Sequence, residues 1–253
     1  MDSENSFSPL DFMIYRTAKE LLNDKTVFVG IGLPLLSASL ARATHAPDLL
    51  TVFESGVIGA TPSRLPLSIA DPAVVAGSLS VVSVSDIFQN YLQGGLIDIG
   101  LLRGGQIDRY GNINSTVLGD YNNPRDRLPG CGGACEIAIH VKRLIIIMPM
   151  TQLNFVEQCD FITSPGHYFN SKGKSSLEPS NSSPYLVVTN AGVCEFEDGE
   201  MILTEICPGE TLESIKDSCG WPLKISNSLV TAETPPKHIS HLLEKLDPQK
   251  SYL

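Results

Sequence analysis

A glutamate at the end of an apolar run is the first residue in this sequence that could do chemistry. Glu54 ends the run LLTVFE and is followed directly by Ser55 and Gly56, which predict a turn. If the run is a parallel strand, the turn places this carboxylate at the carboxyl end of the sheet, where open α/β sheets build their sites. The carboxylate could act as a nucleophile or a base, or it could be a strand-end group that backbone donors satisfy.

A glycine-rich segment at the start of a predicted helix is the second place where chemistry could occur. In LPGCGGACEIAIHVK, the glycines are Gly130, Gly132 and Gly133. Backbone N–H groups that converge at a positive helix end suit a phosphate or the oxyanion of a tetrahedral intermediate. The segment has neither the GK[ST] of a Walker loop nor the GxGxxG spacing of a dinucleotide fold. A tight turn where helix meets strand explains the glycines equally well.

Two further segments combine turn residues with polar groups. In LLRGGQIDRYGNINSTVLG (101–119), turn chemistry alone explains Gly104 and Gly105, and Asp108 with Arg109 could be a site pair or a solvated pair.

The fourth segment, FVEQCDFITSPGH (155–167), predicts a loop at Ser164, Pro165 and Gly166. His167 beside it is a possible ligand, although a single histidine is more often structural. The sequence contains no G-x-S-x-G elbow and no HExxH motif.

Apolar runs rich in Val, Ile and Leu predict the elements that must position these groups. The predicted strands are TVFVG (26–30), LLTVFE (49–54), IDIGLL (97–102), RLIIIMPM (143–150) and YLVVTN (185–190). The predicted helices are 10–24, 33–45, 85–93, 133–142 and 210–218. Strands this apolar are buried on both faces, so we expect an α/β fold with an open, mostly parallel sheet flanked by helices.

The remaining segments predict loops, a hairpin and a last helix. The Ser-rich stretch 169–185 indicates a surface loop. The run VCEFEDGEMILTEI predicts a hairpin that turns at Asp198 and Gly199, and a terminal helix is expected after Pro236. The length allows one large domain or two small ones, and we expect a single domain over residues 1–253.

The composition excludes several classes of protein. The 253 residues are 42% apolar and 18% charged, which excludes disorder and collagen, and the net charge of −10 argues against general affinity for nucleic acid or anionic membranes. No run approaches the roughly 20 apolar residues of a membrane span, and the start MDSENSFSPLDF is too polar for a signal peptide. Six cysteines are scattered along a sequence that has no secretion signal, so we expect reduced thiols. No metal site is expected, and the default expectation is a cytoplasmic location.

Seven segments, in order along nearly the whole chain, resemble the family I coenzyme A transferases, and within them the B subunits of the glutaconate type. They are VGIGLPLLSASLARATHAPDL, FESGVIG, GGQIDRYGNINSTVLG, LPGCGGACEIA, FVEQCDFITSPGH, VVTNAGVCEF and PGETLESIKDSCGWPL. The resemblance implies the CoA-transferase-like α/β fold, which is also that of NagB-RpiA-like proteins. It implies an enzyme that moves coenzyme A between an acyl-CoA and a carboxylic acid such as glutaconate or a similar dicarboxylate.

The resemblance also implies roles for particular residues. Glu54 corresponds to the family's catalytic glutamate, in ESG where many relatives have ENG, and would form a glutamyl-CoA thioester by a ping-pong route. Gly132 and Gly133 correspond to its oxyanion segment. Coenzyme A is a substrate here, no permanently bound cofactor is expected, and the residues expected to contact coenzyme A are Ser55, Gly56, Gly104, Gly105 and Gly130.

Family members of this size are half of an enzyme, so the resemblance implies a homologous A subunit as partner, in a heterotetramer or heterooctamer. Substrate recognition is then only partly encoded in this chain. Ser63 and Arg64 could bind a carboxylate, although a surface pair is the simpler explanation. Cys131 could take part in thiol chemistry, but we expect it to act as a small apolar side chain that packs beneath the turn.

Two alternatives stay open. An acyl-CoA hydrolase or lyase on the same scaffold would use Glu54 as a base, or as a nucleophile whose intermediate water intercepts. Such an enzyme would release coenzyme A without an acceptor acid. A non-catalytic ligand-binding domain on a related scaffold would have no use for Glu54 beside a glycine-rich oxyanion segment.

Overall fold

The computed structural model describes residues 7–62, 64–167 and 184–252. Its helical segments are α1 Pro9–Ala18, α2 Leu33–Thr44, a 3₁₀ turn Pro72–Val75, α3 Val84–Asp86 continued by a π-helical segment Ile87–Leu92, α4 Ala134–His140, α5 Leu212–Asp217 and α6 Lys237–Leu246. Its strands are β1 Thr26–Phe28, β2 Leu50–Val52, β3 Val57–Ile58, β4 Ser80–Val81, β5 Ile99–Leu102, β6 Gln106–Ile107, β7 Ile113–Asn114, β8 Val117–Gly119, β9 Pro124–Arg127, β10 Arg143–Ile147, β11 Pro184–Val188, β12 Gly192–Glu197, β13 Glu200–Ile206 and β14 Lys224–Thr231. No helix in these residues is long and apolar enough to cross a membrane.

The described chain divides into two compact units. The first contains the residues up to Leu101 together with those from Glu233 onward, and the second runs from Leu102 to Ala232. The expectation of one domain over residues 1–253 stays a prediction.

The first unit has the strand order β5-β1-β2-β3-β4. Strands β5, β1 and β2 are parallel, and β3 and β4 continue the sheet in antiparallel pairs. Val27 and Val52 are fully buried in the parallel strands, as expected for apolar runs covered on both faces. Helices α1, α2 and α6 pack against one another in this unit. The strands expected at 26–30, 49–54 and 97–102 are confirmed.

The second unit has the strand order β14-β13-β12-β11-β10. Its β10–β11 and β13–β14 pairs are parallel, and β12 is antiparallel to both of its neighbours. The hairpin between β12 and β13 turns at Asp198 and Gly199, whose φ angles of 50° and 77° are those of a type I′ turn. The strands at 143–150 and 185–190 and this hairpin are confirmed, and with the flanking helices they confirm the open α/β fold.

Helix ends account for most of the differences from the expected elements. Helix α2 matches the expected helix 33–45. Helix α1 ends at Ala18 rather than at residue 24. The amides of Glu20 and Leu21 there donate to the carbonyls three residues earlier, which tightens the chain into a turn. The apolar pattern of 10–24 continues past this end because Leu21 is itself buried. The expected last helix is confirmed as α6, with Pro236 at its N-cap.

Three expected helices are shorter or different in type. Segment 85–93 is mostly π-helical, with the amide of Gln93 bonded to the carbonyl of Phe88, a difference that apolar periodicity does not resolve. Helix α4 starts after Gly133, which caps it, and helix α5 starts after Thr211, whose hydroxyl accepts from the amide of Ser214. The Ser-rich stretch 169–185 is expected as a loop, and its residues 169–183 lie outside the described residues. Its last two residues, Pro184 and Tyr185, are the first two of β11.

Candidate functional site

Glu54 lies in the hairpin that joins β2 to β3. The amide of Gly56 donates to the carbonyl of Phe53 at 3.0 Å, and the amide of Phe53 donates to the carbonyl of Val57 at 2.9 Å. Gly56 has a φ of 98°, so the hairpin is a turn followed by a left-handed glycine, a common three-residue connection. Because β2 is parallel to β1, Glu54 lies just beyond the carboxyl end of a parallel strand, as the sequence predicts.

The backbone around this turn leaves room for glycine alone at position 56. A Cβ atom on Gly56 would lie 2.0 Å from the carbonyl oxygen of Val82. The amide of Val82 in turn donates to the carbonyl of Gly56 at 2.9 Å. The chain after β4 therefore packs directly on the turn and holds it in one conformation.

The Glu54 side chain is half-buried and makes no hydrogen bond or ion pair with any residue that the structure describes. The alternative of a strand-end carboxylate satisfied by backbone donors does not hold within these residues. Beside it, the hydroxyl of Ser55 is buried and has no partner among the same residues. The Glu54 carboxylate is therefore partly exposed without an internal partner among these residues, which is the state expected of a group that binds a ligand.

The glycine-rich segment of the second unit has the conformation of a donor-lined turn. Gly130 and Gly132 have φ angles of 103° and 47°, which favour glycine. The amide of Ala134 bonds the carbonyl of Cys131, and helix α4 begins there. The amides of Gly132 and Gly133 have no acceptor in the described part of the chain. They are therefore free to bind an anion.

The start of this glycine-rich segment is held by a serine of the third sequence segment. The amide of Gly130 donates to the carbonyl of Ser115 at 2.8 Å, and the Ser115 hydroxyl donates back to the carbonyl of Gly130 at 2.9 Å. Thr163 accepts a hydrogen bond from the amide of Ser115 at 2.9 Å. The sequence gives no separate signal for Ser115 or Thr163, because serine and threonine in turn-rich segments are also typical of ordinary turns.

The fourth segment closes against the third at Gly166. Its amide donates to Asn112 Oδ1 at 2.8 Å, and a Cβ atom on Gly166 would lie 2.1 Å from the carbonyl oxygen of Tyr110. Asn112 Nδ2 donates to Asp108 at 2.8 Å. The second unit therefore brings the second, third and fourth segments together, while Glu54, Ser55 and Gly56 are together in the first unit.

Asp108 and Arg109 form neither a site pair nor a solvated pair. Asp108 is buried, and its carboxylate accepts hydrogen bonds from Asn112 and from the amide of Tyr110. Burial raises the pKa of this carboxyl, although the hydrogen bonds act in the opposite direction. Arg109 lies 3.3 Å from Glu157 and 3.7 Å from Glu200. Both residues are structural, because each is engaged by neighbours in its own unit.

His167 has the structural role that is more common for a single histidine, whereas Cys131 differs from expectation. His167 Nε2 lies 2.9 Å from the carbonyl oxygen of Pro184 and its ring contacts Phe196, so it is a structural residue whose pKa burial lowers. Cys131 is exposed rather than packed beneath the turn, because the turn itself lies at the surface, with Pro129 and Gly132 exposed as well.

The remaining predicted residues have explanations in packing. A Cβ atom on Gly104 would lie 2.2 Å from Ile113 Cγ2. Gly105 donates to the carbonyl of Asn114 at 2.7 Å and accepts from Asn154 Nδ2 at 2.9 Å. Contact of these glycines with coenzyme A stays a prediction.

Arg64 forms a surface ion pair, which is the simpler of the two explanations given for it above. Arg64 binds Asp71 through two nitrogens, at 2.8 Å each, and Ser63 lies outside the described residues.

Comparison with known proteins identifies the family. A family model described as Coenzyme A transferase matches residues 12–218. The chain is 41% identical to the B subunit of 3-oxoadipate CoA-transferase from Pseudomonas knackmussii, over 91% of this chain and 90% of that protein. It is 34% identical to the B subunit of glutaconate CoA-transferase from Acidaminococcus fermentans, over 93% and 91%. The crystal structure of glutaconate coenzyme A-transferase from A. fermentans matches with a TM-score of 0.90 at 30% identity, over 98% of both chains.

The contact at Gly166 predicts a large loss of stability on substitution. In Gly166→Ala, the new Cβ would lie 2.1 Å from backbone oxygen, so we expect the free energy of unfolding to fall by about 3 kcal/mol. Gly30→Ala is the matched control, because no atom lies within 4 Å of a Cβ at that position. Urea unfolding of both variants measures the difference, and equal stabilities would contradict the close approach at Gly166.

Proposed function

The chain belongs to the coenzyme A transferase family, and we propose that, as a B subunit, it uses Glu54 as a nucleophile. In this role Glu54 carries coenzyme A from an acyl-CoA to a carboxylic acid. One observation carries the proposal. Glu54 is a half-buried carboxylate at the end of a parallel strand, with no partner in the described residues of its own chain. A carboxylate held this way is available to attack a substrate.

The proposed reaction has two matched halves. The Glu54 carboxylate attacks the thioester carbonyl of the acyl-CoA, which gives a mixed anhydride and the coenzyme A thiolate. The thiolate then attacks the glutamyl carbonyl, which releases the first carboxylic acid and leaves coenzyme A on Glu54 as a thioester. A second carboxylate reverses these steps and leaves as the new acyl-CoA. Covalent catalysis of this kind follows ping-pong order.

The local structure around Glu54 supports this role on physical grounds. A carboxylate is a weak nucleophile in water, so the reaction needs a fixed orientation and partial removal of solvent. The turn at Gly56, packed on the backbone of Val82, supplies a fixed orientation, and half-burial of Glu54 supplies partial desolvation. Ser55 and Gly56, beside the carboxylate, are proposed to contact coenzyme A.

We assign the oxyanion role to Gly132 and Gly133. Their amides are free among the described residues, and Gly130 at the start of the same segment is anchored by Ser115. Each tetrahedral step creates an oxyanion, and the loss of one backbone donor typically raises the barrier by about 3 kcal/mol. Contacts of Gly104, Gly105 and Gly130 with coenzyme A belong to the same proposal.

The proposed acceptor is a dicarboxylic acid. The relatives that are 41% and 34% identical to this chain are named for 3-oxoadipate and glutaconate, and both of these are dicarboxylates. The higher identity to the 3-oxoadipate enzyme favours 3-oxoadipate at least as much as glutaconate, and both acids are within the dicarboxylate class that the sequence resemblance implies.

The proposed partner is a homologous A subunit, which binds an exposed apolar segment of the first unit. Half of the large apolar side chains that are exposed in the described residues fall between positions 67 and 84, and they are Leu67, Ile69, Val75, Leu79, Val81 and Val84. Strand β4 within this segment is the last strand of the unit's sheet. An exposed apolar edge strand is a hazard for a protein that stays unpaired, and it suits a protein–protein interface.

The charge of this segment supports the same partner. From Gly56 to Ser85 the only charged residues are Arg64 and Asp71, in a chain with a net charge of −10. These two bind each other, and this contact is the largest cause of the lowered pKa of the Asp71 carboxyl. The segment therefore presents a neutral, apolar surface, and it adjoins the Glu54 turn through the Val82–Gly56 hydrogen bond.

The nucleophile proposal predicts that Glu54→Gln loses transferase activity while the fold is kept. The amide is nearly isosteric with the carboxylate but cannot form the anhydride, so we expect turnover to fall on the order of 10³-fold or more. Coenzyme A transfer is measured with the A subunit present. Glu213→Gln, which changes an exposed carboxylate in the second unit, is the control and should keep full activity. Undiminished transfer by Glu54→Gln would refute the nucleophile.

The partner proposal predicts that charges on β4 and its flank prevent assembly. In Leu79→Glu/Val81→Glu, two exposed apolar groups become carboxylates, and we expect affinity for the A subunit to fall by at least 100-fold. The melting temperature of the chain alone should stay close to that of the wild type, because neither side chain is buried. Leu153→Glu, equally exposed in the second unit, is the control. Co-purification of the double variant with the A subunit at wild-type yield would contradict the proposed surface.

A further inference from the structure

The substrate of a coenzyme A transferase carries phosphate groups at its nucleotide end, whereas this chain has a net charge of −10. Phosphates therefore need cations that the carboxylates of the chain do not neutralise. Several arginines of the described residues are already engaged. Arg16, Arg64 and Arg109 pair with carboxylates, and Arg42 donates to a backbone carbonyl. The hairpin formed by β8 and β9, in the second unit, carries two arginines that differ from these.

Arg125 is the extra residue of a β-bulge in this hairpin. Leu118 pairs with Asp126 and Gly119 pairs with Pro124, so Arg125 has no counterpart on β8. Its side chain is 67% exposed, and its Nε lies 3.9 Å from the carboxylate of Asp126, which is too far for a hydrogen bond. The guanidinium N–H groups of Arg125 therefore face solvent. Bulges of this kind often redirect a side chain beside a functional site.

Arg127 is held in place by groups that leave its charge uncompensated. Its Nη2 donates to the carbonyl of Tyr121 at 2.9 Å, and its guanidinium carbon lies 5.0 Å from the centre of the Tyr121 ring. That ring stacks on Phe161, with the ring centres 5.4 Å apart. No carboxylate pairs with Arg127 in the part of the chain that the structure describes. Its other N–H groups are therefore positioned in advance for an anion.

The hairpin leads directly into the glycine-rich segment. The amide of Leu128, the residue after β9, donates to the carbonyl of Thr116 at 3.0 Å, and this bond continues the pairing of the two strands towards that segment. Because five extended residues span at most roughly 18 Å, the Cα atoms of Arg127 and Gly132 are no farther apart than this. The pantetheine arm of coenzyme A separates its thiol from its phosphates by a distance of this order. A thioester at the amides of Gly132 and Gly133 could therefore have its phosphates at the hairpin.

We propose that Arg125 and Arg127 bind the phosphate groups of coenzyme A, so that the hairpin of β8 and β9 holds the nucleotide end of the substrate. A guanidinium donates paired hydrogen bonds to phosphate oxygens, which makes arginine well suited to this task. The inference rests on the proposed function for the identity of the ligand. It does not require any chemistry at Glu54.

The first test is the binding of 3′-phosphoadenosine 5′-diphosphate, which is the nucleotide end of coenzyme A without the pantetheine arm. Calorimetric titration of the complex with the A subunit, at low ionic strength, should give saturable binding. In Arg125→Gln/Arg127→Gln we expect the affinity to fall at least tenfold. Lys216→Gln, which removes an exposed cation of α5 in the same unit, is the control and should bind as the wild type does. Glu54→Gln should also bind normally, so failure of the nucleophile and failure of this inference give different results.

The second test separates phosphate binding from a general effect on the hairpin. For the double variant, KM for an acyl-CoA should rise at least tenfold with kcat nearly unchanged, whereas the same acyl group on pantetheine, which has no phosphates, should react as it does with the wild type. Because Arg127→Gln also removes the bond to Tyr121, Arg125→Gln alone decides the result if the double variant fails to fold. We expect its affinity for the nucleotide to fall at least threefold. Absence of saturable nucleotide binding in the wild type would overturn the inference, as would unchanged affinity in Arg125→Gln or an equal loss with the pantetheine substrate.

Discussion

The tight turn after β2 is the constraint on which the proposed chemistry of this chain depends. Glycine at position 56 is required twice, by its positive φ and by the carbonyl of Val82 at 2.0 Å from the place of a Cβ. Because the turn has no freedom to relax, Glu54 keeps its place beyond a parallel strand without a side-chain partner among the residues that the structure describes. An internal partner would stabilise the carboxylate but would also reduce its ability to attack a thioester.

In the second unit, the glycine-rich segment that starts at Gly130 is held in one conformation by side chains from other segments. Ser115 bonds Gly130 in both directions, and Thr163 fixes Ser115 in turn. Both side chains are at least partly buried, and they are tolerated there because they bond one another and the backbone. The amides of Gly132 and Gly133 have no acceptor among the described residues, because the loop is fixed at its first glycine rather than through those amides.

The sequence predicts the strands and the turns better than the contacts between segments. Long apolar runs identify the buried strands, and Gly56 and Gly199 are predictable because each turn needs a positive φ. Helix ends depend on local bonds such as those that end α1, which apolar periodicity does not reveal. The partners of Arg109, His167 and Ser115 lie far away along the chain, so composition and spacing could not predict them. Resemblance supplied the role of Glu54, and only the structure shows that its carboxylate has no partner among the described residues.

The most direct test of the nucleophile is the intact mass of this chain after co-purification with its A subunit. The complex is exposed to glutaconyl-CoA or 3-oxoadipyl-CoA without an acceptor acid. The proposal predicts a coenzyme A adduct that maps to the peptide containing Glu54 and disappears when the free dicarboxylic acid is added. Steady release of coenzyme A, with no adduct at any time, would contradict the proposal and would instead indicate a hydrolase.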